Sequence, residues 1–397
     1  MNILIYDAFF HVVNGASKYI LFVADKLAED NDVVLLGDKD FSCGIIEKIY
    51  GFKMGKFKTK ILSFKSHSAI GKRIIGNWEH IRRCEKVSEI SKSYDLFINN
   101  VGGFCFQIKP QAGKNLMIVY FLMDPYHSFR YHERFKKIKN LARKVFLPPP
   151  GKHNFISHYD KIACVSEFTK KWILKLWGKE DVDIINPPVR WSEDCNAQKE
   201  DIILSVARFN APGPDGDGKG RDKMIRAFKI ICDEDKRDLR LILAGGVVEG
   251  KGTDEYICRL KEMSRGYNVK FYFDLEEAEL NRIYSKAKIF WHLAGLGVDE
   301  EKRPERLEPF GMVTAEAMSH GVVPIAANTG GQKEIINDGG SGFLVDTIDE
   351  LIEKTKFLTD NEDEWKNFSK RAKERSKVFG LDRFYRQWQE VCLKFRS

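Results

Sequence analysis

Short apolar runs alternate along the chain with stretches in which apolar residues recur at helical spacing. In the first half the runs fall at residues 3–6, 33–36, 95–99, 116–122 and 159–165. In the second half they fall at 202–207, 239–244, 269–273, 289–293, 322–326 and 342–345. Runs of this length predict strands buried on both faces. Between them Ile20, Val23, Ala24 and Leu27 mark an amphipathic helix, and further helices are expected at 170–177, 222–231 and 276–286. Ser166 stands where an N-cap opens the helix that leads into 170–177. In the stretch 381–395, Phe384, Trp388, Val391 and Phe395 share one apolar face. Such alternation predicts an α/β protein with parallel sheets covered by helices on both sides. Pro187 and Pro188, after Ile184-Ile185, end a strand cleanly and close the first half, and the polar residues 190–200 read as a linker.

One stretch organises the second half: Arg306-Leu307-Glu308-Pro309-Phe310-Gly311-Met312-Val313-Thr314-Ala315-Glu316-Ala317-Met318. Pro309 cannot continue a preceding helix, and Gly311 lets backbone approach whatever lies in front of it. From about Phe310 the pattern is helical, with Val313, Ala317 and Met318 on one face and Gly321 closing the segment. A helix begun this way presents unpaired N–H groups and the positive end of its dipole, a seat for an anion such as a diphosphate. Glu308 precedes that seat and Glu316 follows about two turns inside the helix. The arrangement suits a nucleotide-sugar, with the sugar by Glu308, the diphosphate on the helix end and the ribose by Glu316. An amphipathic helix capped by acids for its dipole is the plainer alternative.

Glu-Pro-Phe-Gly followed by Glu316 resembles the Glu-x7-Glu signature of retaining GT-B glycosyltransferases of family 4. The flanking runs, Trp291 to Glu300 and Gly330-Gly331-Gln332-Lys333-Glu334, are similar to a bacterial branch of that family. The resemblance implies two Rossmann-like domains facing across a cleft: an acceptor domain at 1–190 and a donor domain at 200–380. A last helix, 381–397, would cross back onto the first domain. It also implies transfer of a hexose, of mannose or glucose type, with retention, from a nucleotide diphosphate sugar to a glycan or lipid-linked acceptor. GDP or UDP would be the product, with no further cofactor. Asn186-Pro187-Pro188-Val189 and Ser166-Glu167-Phe168-Thr169 resemble lipid-linked oligosaccharide mannosyltransferases, which favours mannose from a guanine nucleotide.

Site residues carry over position by position. Arg208, at a strand end, and Lys219, in Lys-Gly before a helix, match the cations that contact the donor diphosphate in relatives. The Gly/Pro/Asp-rich loop between them is long, so Lys219 must fold back towards Arg208. Two fixed cations beside a helix end can stabilise a departing diphosphate without a metal. Asp215-Gly216-Asp217-Gly218 invites a calcium reading but lacks the spaced ligands and terminal Glu of an EF-hand loop. The amides of Pro309-Phe310-Gly311-Met312-Val313 form the donor seat, and the loop from Phe273 lies where relatives hold the nucleobase. His292, at a strand end, matches a polar position near the donor, and a satisfied structural histidine fits equally well.

In the first half, strand 3–6, a loop to Gly15, a helix and strand 33–36 form a mononucleotide-type unit with its ligand at the carboxyl end of the first strand. Asn14-Gly15-Ala16-Ser17-Lys18 stands where relatives carry Gly-Gly-Ala-Glu-Arg, which leaves Gly15 to admit a phosphate or acceptor; a plain turn also explains it. At the end of 116–122, Met123-Asp124 replaces the family's His-Asp. Asp124 or His127 takes over that polar role, or none is needed; a strand-end Asp also caps turns.

The 397 residues suffice for two domains, and no apolar run approaches the ~18 residues of a membrane span. The chain opens straight into its first strand, so no signal peptide is expected. Eight scattered cysteines without a Cys-x-x-Cys pair argue against zinc and for a reducing, cytoplasmic compartment. Residues 1–190 hold 31 Lys+Arg against 19 Asp+Glu, and the remainder 34 against 38. The first half therefore suits an anionic partner: a membrane surface, a lipid pyrophosphate or, last, nucleic acid, for which no module signature is present. Residues 52–92 interleave Phe52, Met54, Phe57, Ile61, Leu62 and Phe64 with lysines, and 129–145 places Phe135, Ile138, Leu141 and Val145 near one face among seven basic residues. Both patterns fit peripheral contact with an anionic inner leaflet. A solvated helix with its stripe in the core fits as well. A non-catalytic nucleotide-sugar or membrane-surface binding protein is the alternative function, kept open by Asn14 and Met123. A dinucleotide enzyme is disfavoured because no Gly-x-Gly-x-x-Gly follows Tyr6.

Overall fold

The computed structural model describes residues 1–10, 15–39, 55, 57–62, 72–102, 108–121, 155–189, 198–213, 216–234, 238–250 and 252–396. They divide into two compact units. Unit 1 takes the residues up to Ile185 and those from Tyr385 onward, and unit 2 takes Asn186–Phe384.

Unit 1 is built on a parallel sheet of β1 (Asn2–Asp7), β2 (Asp32–Gly37), β3 (Lys58–Ile61), β4 (Leu96–Gly102), β5 (Lys114–Val119), β6 (Lys161–Cys164) and β7 (Val182–Ile184). Their order is β3-β2-β1-β4-β5-β6-β7. β1 is central, with Ile5 opposite both Leu35 and Ile98, and its Ile-Leu-Ile-Tyr run is wholly buried. Helix α1 (Gly15–Leu27) buries Tyr19 to Ala24 without a break, a wider apolar face than the four residues singled out from spacing. Helix α2 (Lys72–Ser91) follows the edge strand, and α3 (Glu167–Trp177) follows β6. Ser166 caps α3, its Oγ accepting the Thr169 N–H at 3.0 Å, and Gly178 ends it at φ 64°.

Within the basic stretch 52–92, the described residues form an edge strand and a helix. Lys58 and Lys60 lie on β3, the edge strand, where exposed lysines block pairing with other chains. Phe57 and Leu62 beside them are buried in the core. Phe52, Met54 and Phe64, with all of 129–145, lie outside the described residues. The run at 116–122 gives a shorter strand, ending at Val119; β7 lies just ahead of the prolines at 187 and 188, and α2 and β3 are elements that the apolar pattern does not announce.

Unit 2 carries a second parallel sheet of β8 (Glu200–Val206), β9 (Arg240–Gly245), β10 (Val269–Phe273), β11 (Ala287–His292), β12 (Val323–Ala327) and β13 (Phe343–Val345), ordered β10-β9-β8-β11-β12-β13. Alternate residues enter opposite cores. Ile203, Leu241, Leu243, Ile289 and Trp291 join one cluster, and Ile202, Leu204, Val206, Ile242 and Phe290 the other. Both faces being covered, the strands need unbroken apolar sequence. The helices are α4 (Arg221–Glu234), α5 (Thr253–Met263), α6 (Glu277–Lys286), α7 (Met312–Ser319), α8 (Gln332–Ile335), α9 (Ile348–Asp360) and α10 (Glu362–Ser376). Chain order puts the carboxyl ends of β8 and β11 side by side at the centre of this sheet.

Helix α11 (Leu381–Arg396) starts in unit 2 and belongs to unit 1 from Tyr385 onward. Phe384, Trp388 and Val391 are buried, as their spacing predicts. The Trp388 ring meets Tyr19 edge-on at 6.2 Å, and Gln387 donates to the Ile184 carbonyl at 3.2 Å. No helix among the described residues is long and apolar enough to cross a membrane. Trp388→Ala is expected to destabilise unit 1 by about 3–5 kcal/mol through the cavity it leaves. Denaturant unfolding of the full chain checks this, and a loss below about 1 kcal/mol contradicts the packing described.

Candidate functional site

Three chain segments meet at the carboxyl ends of β8 and β11. The first leaves β8 as Ala207, the exposed Arg208 and the buried Phe209, which bridges to Val247. The loop then doubles back, with the Gly216 N–H on the Gly213 carbonyl at 3.0 Å, and delivers Asp217, Lys219 and Gly220 to the start of α4. Arg221, the first residue of α4, turns inward: its Nη2 donates to the Ala207 and Arg208 carbonyls, each at 2.6 Å. The second segment is β11, ending in His292, which is 3% exposed. The third is Glu308-Pro309-Phe310-Gly311, entering α7.

Lys219 Nζ lies 2.8 Å from Glu308 Oε2, and His292 Nε2 lies 3.6 Å from the same oxygen. The Gln332 side-chain amide stands 3.3 Å from His292 Nδ1. With that amide donating, the ring carries its proton on Nε2, facing Glu308. Burial opposes ionisation of Glu308, but Lys219 and His292 outweigh it and hold the carboxyl well below the ordinary carboxylate range. Glu308 is therefore a fixed anion at neutral pH, suited to accepting hydrogen bonds and unsuited to donating a proton.

The wall behind Glu308 is backbone against backbone. Gly331 donates its N–H to the Glu308 carbonyl at 2.9 Å, and a Cβ on Gly331 would stand 2.5 Å from Phe310 Cα. Gly311 has φ 109°, and a Cβ there would meet the Gln332 amide at 2.3 Å. The two glycine positions thus let the Glu-Pro-Phe-Gly turn lie flat on Thr329-Gly330-Gly331-Gln332.

Helix α7 begins at Met312, two residues later than the apolar pattern suggests, so Glu316 stands little more than one turn inside it. Met312 and Val313 are first-turn residues whose N–H groups have no acceptor within the helix. Pro309 and Glu316 are half-buried. Phe310 is buried edge-on against Phe379 at 5.4 Å, so any part it takes in an anion seat is through its backbone. Phe273 packs on Phe209 at 4.9 Å, with Lys261 Nζ 5.3 Å over its ring. His292 sits behind Glu308, enclosed by its two partners.

In unit 1, Gly15 is exposed as the first residue of α1. Asn14, Met123, Asp124 and His127 lie outside the described residues. Asp7, at the end of β1, is an acid that sequence reading passed over. Burial raises its carboxyl to about 6 against the Phe9 N–H and Asn100 amide that hydrogen-bond to it. In unit 2 the residues given no part in the donor site are Asp217, weighed only as a calcium ligand, Arg221 and Gln332. Their one sequence signal is a polar residue placed directly beside a glycine that the family motifs contain.

Residues 191–375 match the family described as glycosyl transferases group 1. Unit 2 is a glycosyl transferases group 1 domain. The chain is 22% identical to a GDP-Man:Man(3)GlcNAc(2)-PP-Dol alpha-1,2-mannosyltransferase of Dictyostelium discoideum, over 96% of this chain and 83% of that protein. It is 28% identical to an alpha-1,3/1,6-mannosyltransferase of Neurospora crassa over 48% of this chain and 45% of that protein. The chain spans less than half the length of several curated relatives that it matches. Among solved structures, Anabaena HepE in complex with UDP and glucose superposes with a TM-score of 0.68 at 16% identity, over 99% of both chains. That likeness, with the two parallel sheets, establishes the GT-B fold. Within the glycosyl transferases group 1 domain, the ion pair joins the Lys-Gly turn to the Glu-Pro-Phe-Gly turn.

Gly331→Ala is expected to cost about 1–3 kcal/mol, because the methyl meets backbone that cannot rotate away. Urea unfolding measures it, and an unchanged midpoint contradicts the contact. Glu308 has a depressed folded pKa, so its ionisation contributes stability that is full above the ordinary value of 4.5 and is lost progressively as pH falls from there towards the folded value. The stability difference between wild type and Glu308→Gln should therefore move in the variant's favour between about pH 5 and pH 3. Parallel urea midpoints for both proteins across that window would show the carboxyl to be unperturbed.

Proposed function

We propose that the protein is a retaining, metal-independent hexosyltransferase, moving mannose from GDP-mannose to the hydroxyl of a glycan or lipid-linked acceptor. The observation that carries the reading is the ionised Glu308 held 2.8 Å from Lys219 at the entrance to α7. The names of the mannosyltransferase relatives favour the donor, and the basic balance of the first half favours an anionic, lipid-pyrophosphate type of acceptor.

The diphosphate rests on the first-turn amides of α7 at Met312 and Val313, with Lys219 and Arg208 beside it. Negative charge grows on the diphosphate as the glycosidic bond breaks, and pre-placed donors in a partly desolvated site stabilise it without reorganising. Glu308 accepts hydrogen bonds from sugar hydroxyls and stays anionic throughout. Glu316 holds the ribose hydroxyls from farther along α7. Arg208 and Lys219 supply the charge that a metal provides in other transferases. Gly15 is kept as a donor-binding residue and Asp124 as a catalytic one.

A thermal-shift screen against GDP-, UDP- and dTDP-sugars selects the donor, and product anomers read by NMR report retention. Lys219→Ala is expected to lower kcat by about 10²–10³-fold with the fold intact. A chelator should leave turnover unchanged. Binding without turnover across a panel of donors and acceptors would establish the non-catalytic alternative instead, and wild-type rates in Lys219→Ala would remove that residue from the site.

A further inference from the structure

Arg221 and Asp217 carry opposite charges on side chains only 2% and 1% exposed. A pair buried so deeply loses more in desolvation than it gains in attraction unless the remaining donors and acceptors are also satisfied. Here much of that satisfaction comes from the backbone of the very residues assigned to the donor diphosphate. Arg221 Nη2 holds the Ala207 and Arg208 carbonyls at 2.6 Å each. Asp217 Oδ1 accepts the Lys219 N–H at 3.1 Å, and its Oδ2 accepts the Arg221 N–H at 2.8 Å. Arg221 Nη1 closes the circuit to Asp217 Oδ1 at 3.5 Å, with the guanidinium 4.1 Å from the centre of the Phe209 ring.

We propose that Asp217 and Arg221 are positioning residues whose buried pair clamps the backbone of Arg208 to that of Lys219, fixing the spacing of the two cations to the length of a diphosphate. The proposal rests on the transferase reading above. The loop between the two cations is long and rich in glycine and proline, so chain connectivity alone sets their separation poorly. A planar fork is needed to hold two adjacent carbonyls and a carboxylate together, which lysine cannot reproduce. Neither Asp217 nor Arg221 is open to a ligand, so their effect passes through Arg208 and Lys219. The far side of the clamp is also fixed. Gly220, at φ 72°, would bring a Cβ within 2.9 Å of Leu293 Cβ, so the Lys219 turn is pressed against the end of β11.

The test compares the binding of GDP, GMP and guanosine, and donor kinetics, in wild type, Arg221→Met, Arg221→Lys and Asp217→Asn. A loosened spacing should cut the preference for GDP over GMP by about tenfold or more and lower kcat/KM by about 10²-fold, while guanosine affinity is kept. Arg221→Met should show the full loss. Arg221→Lys, which keeps the buried charge and so guards against a variant that fails to fold, should show the same loss of preference. Asp217→Asn keeps one acceptor for the Lys219 N–H and should fall between these and wild type. Mere structural damage would weaken all three ligands alike and leave their ratio intact, and that result overturns the clamp. So does a wild-type GDP:GMP ratio in folded Arg221→Lys and Arg221→Met. Wild-type protein that binds no nucleoside diphosphate, GDP or UDP, overturns the transferase reading itself, and the clamp with it.

Discussion

A carboxylate withdrawn from water must be matched by a cation or give up its charge, and Glu308 is matched by Lys219 at 2.8 Å. The constraint reaches well beyond the two side chains. Lys219 belongs to the turn after β8 and Glu308 to the turn before α7, so the pair fixes two connections that the sheet alone would leave independent. His292, at the end of β11, adds its Nε2 side to the same oxygen. Every strand end at the centre of the second sheet thereby contributes to one charge balance. On the transferase reading, ligand oxygens arriving there exchange one set of charge-assisted contacts for another, and no bare charge has to be created.

Rigidity in this region comes from missing atoms. Gly330 and Gly331 pack where a Cβ would stand 2.4 Å from the Glu308 carbonyl oxygen and 2.5 Å from Phe310 Cα. Gly311 makes room for the Gln332 amide, which in turn sets the proton on His292. The wall therefore acts on the electrostatics: a shift of the Gly-Gly turn moves Gln332, the histidine's proton and the balance around Glu308 together. Buried polar groups coupled in this way hold a single arrangement only while each partner stays in place.

Much of this was legible in the chain. Strands buried on both faces must be apolar at every position, so β1, β9, β11 and β12 announce themselves as short runs, while β10, at the sheet edge, keeps Val269, Phe271 and Phe273 on one face and exposes Lys270 and Tyr272 on the other. The Glu-Pro-Phe-Gly turn is legible too, because proline and glycine punctuate a helix start. Helices α2 and α5 were missed for the opposite reason: their sequences are diluted by charges, and α5 buries only Tyr256, Ile257 and Leu260 beside its first residue Thr253. Asp217 and Arg221 were missed because a buried ion pair and a solvated loop have the same spelling. Only the doubling-back of the 209–220 loop distinguishes them, and that is a property of the fold. The lysines of 58–60 leave two readings open in the sequence, since a period that suggests a membrane ribbon also describes a protected sheet edge.

Charge is distributed so that the two halves of the chain must attract anions by different means. Residues 191–397 hold 34 basic against 38 acidic side chains, so the second half of the chain has no positive net charge to draw in a nucleotide. On the transferase reading its affinity has to come from a few groups at contact distance: Lys219, Arg208 and the α7 amides. Contacts inside a partly buried site are screened weakly by salt, whereas long-range steering fades over about 8 Å at physiological ionic strength. Residues 1–190, with 31 basic against 19 acidic side chains, have the opposite character. On the same reading their excess suits an acceptor recognised over a broad surface, with capture there the step that ionic strength controls. A two-substrate enzyme gains from this division, because the small donor is selected by geometry while the larger acceptor is gathered by field.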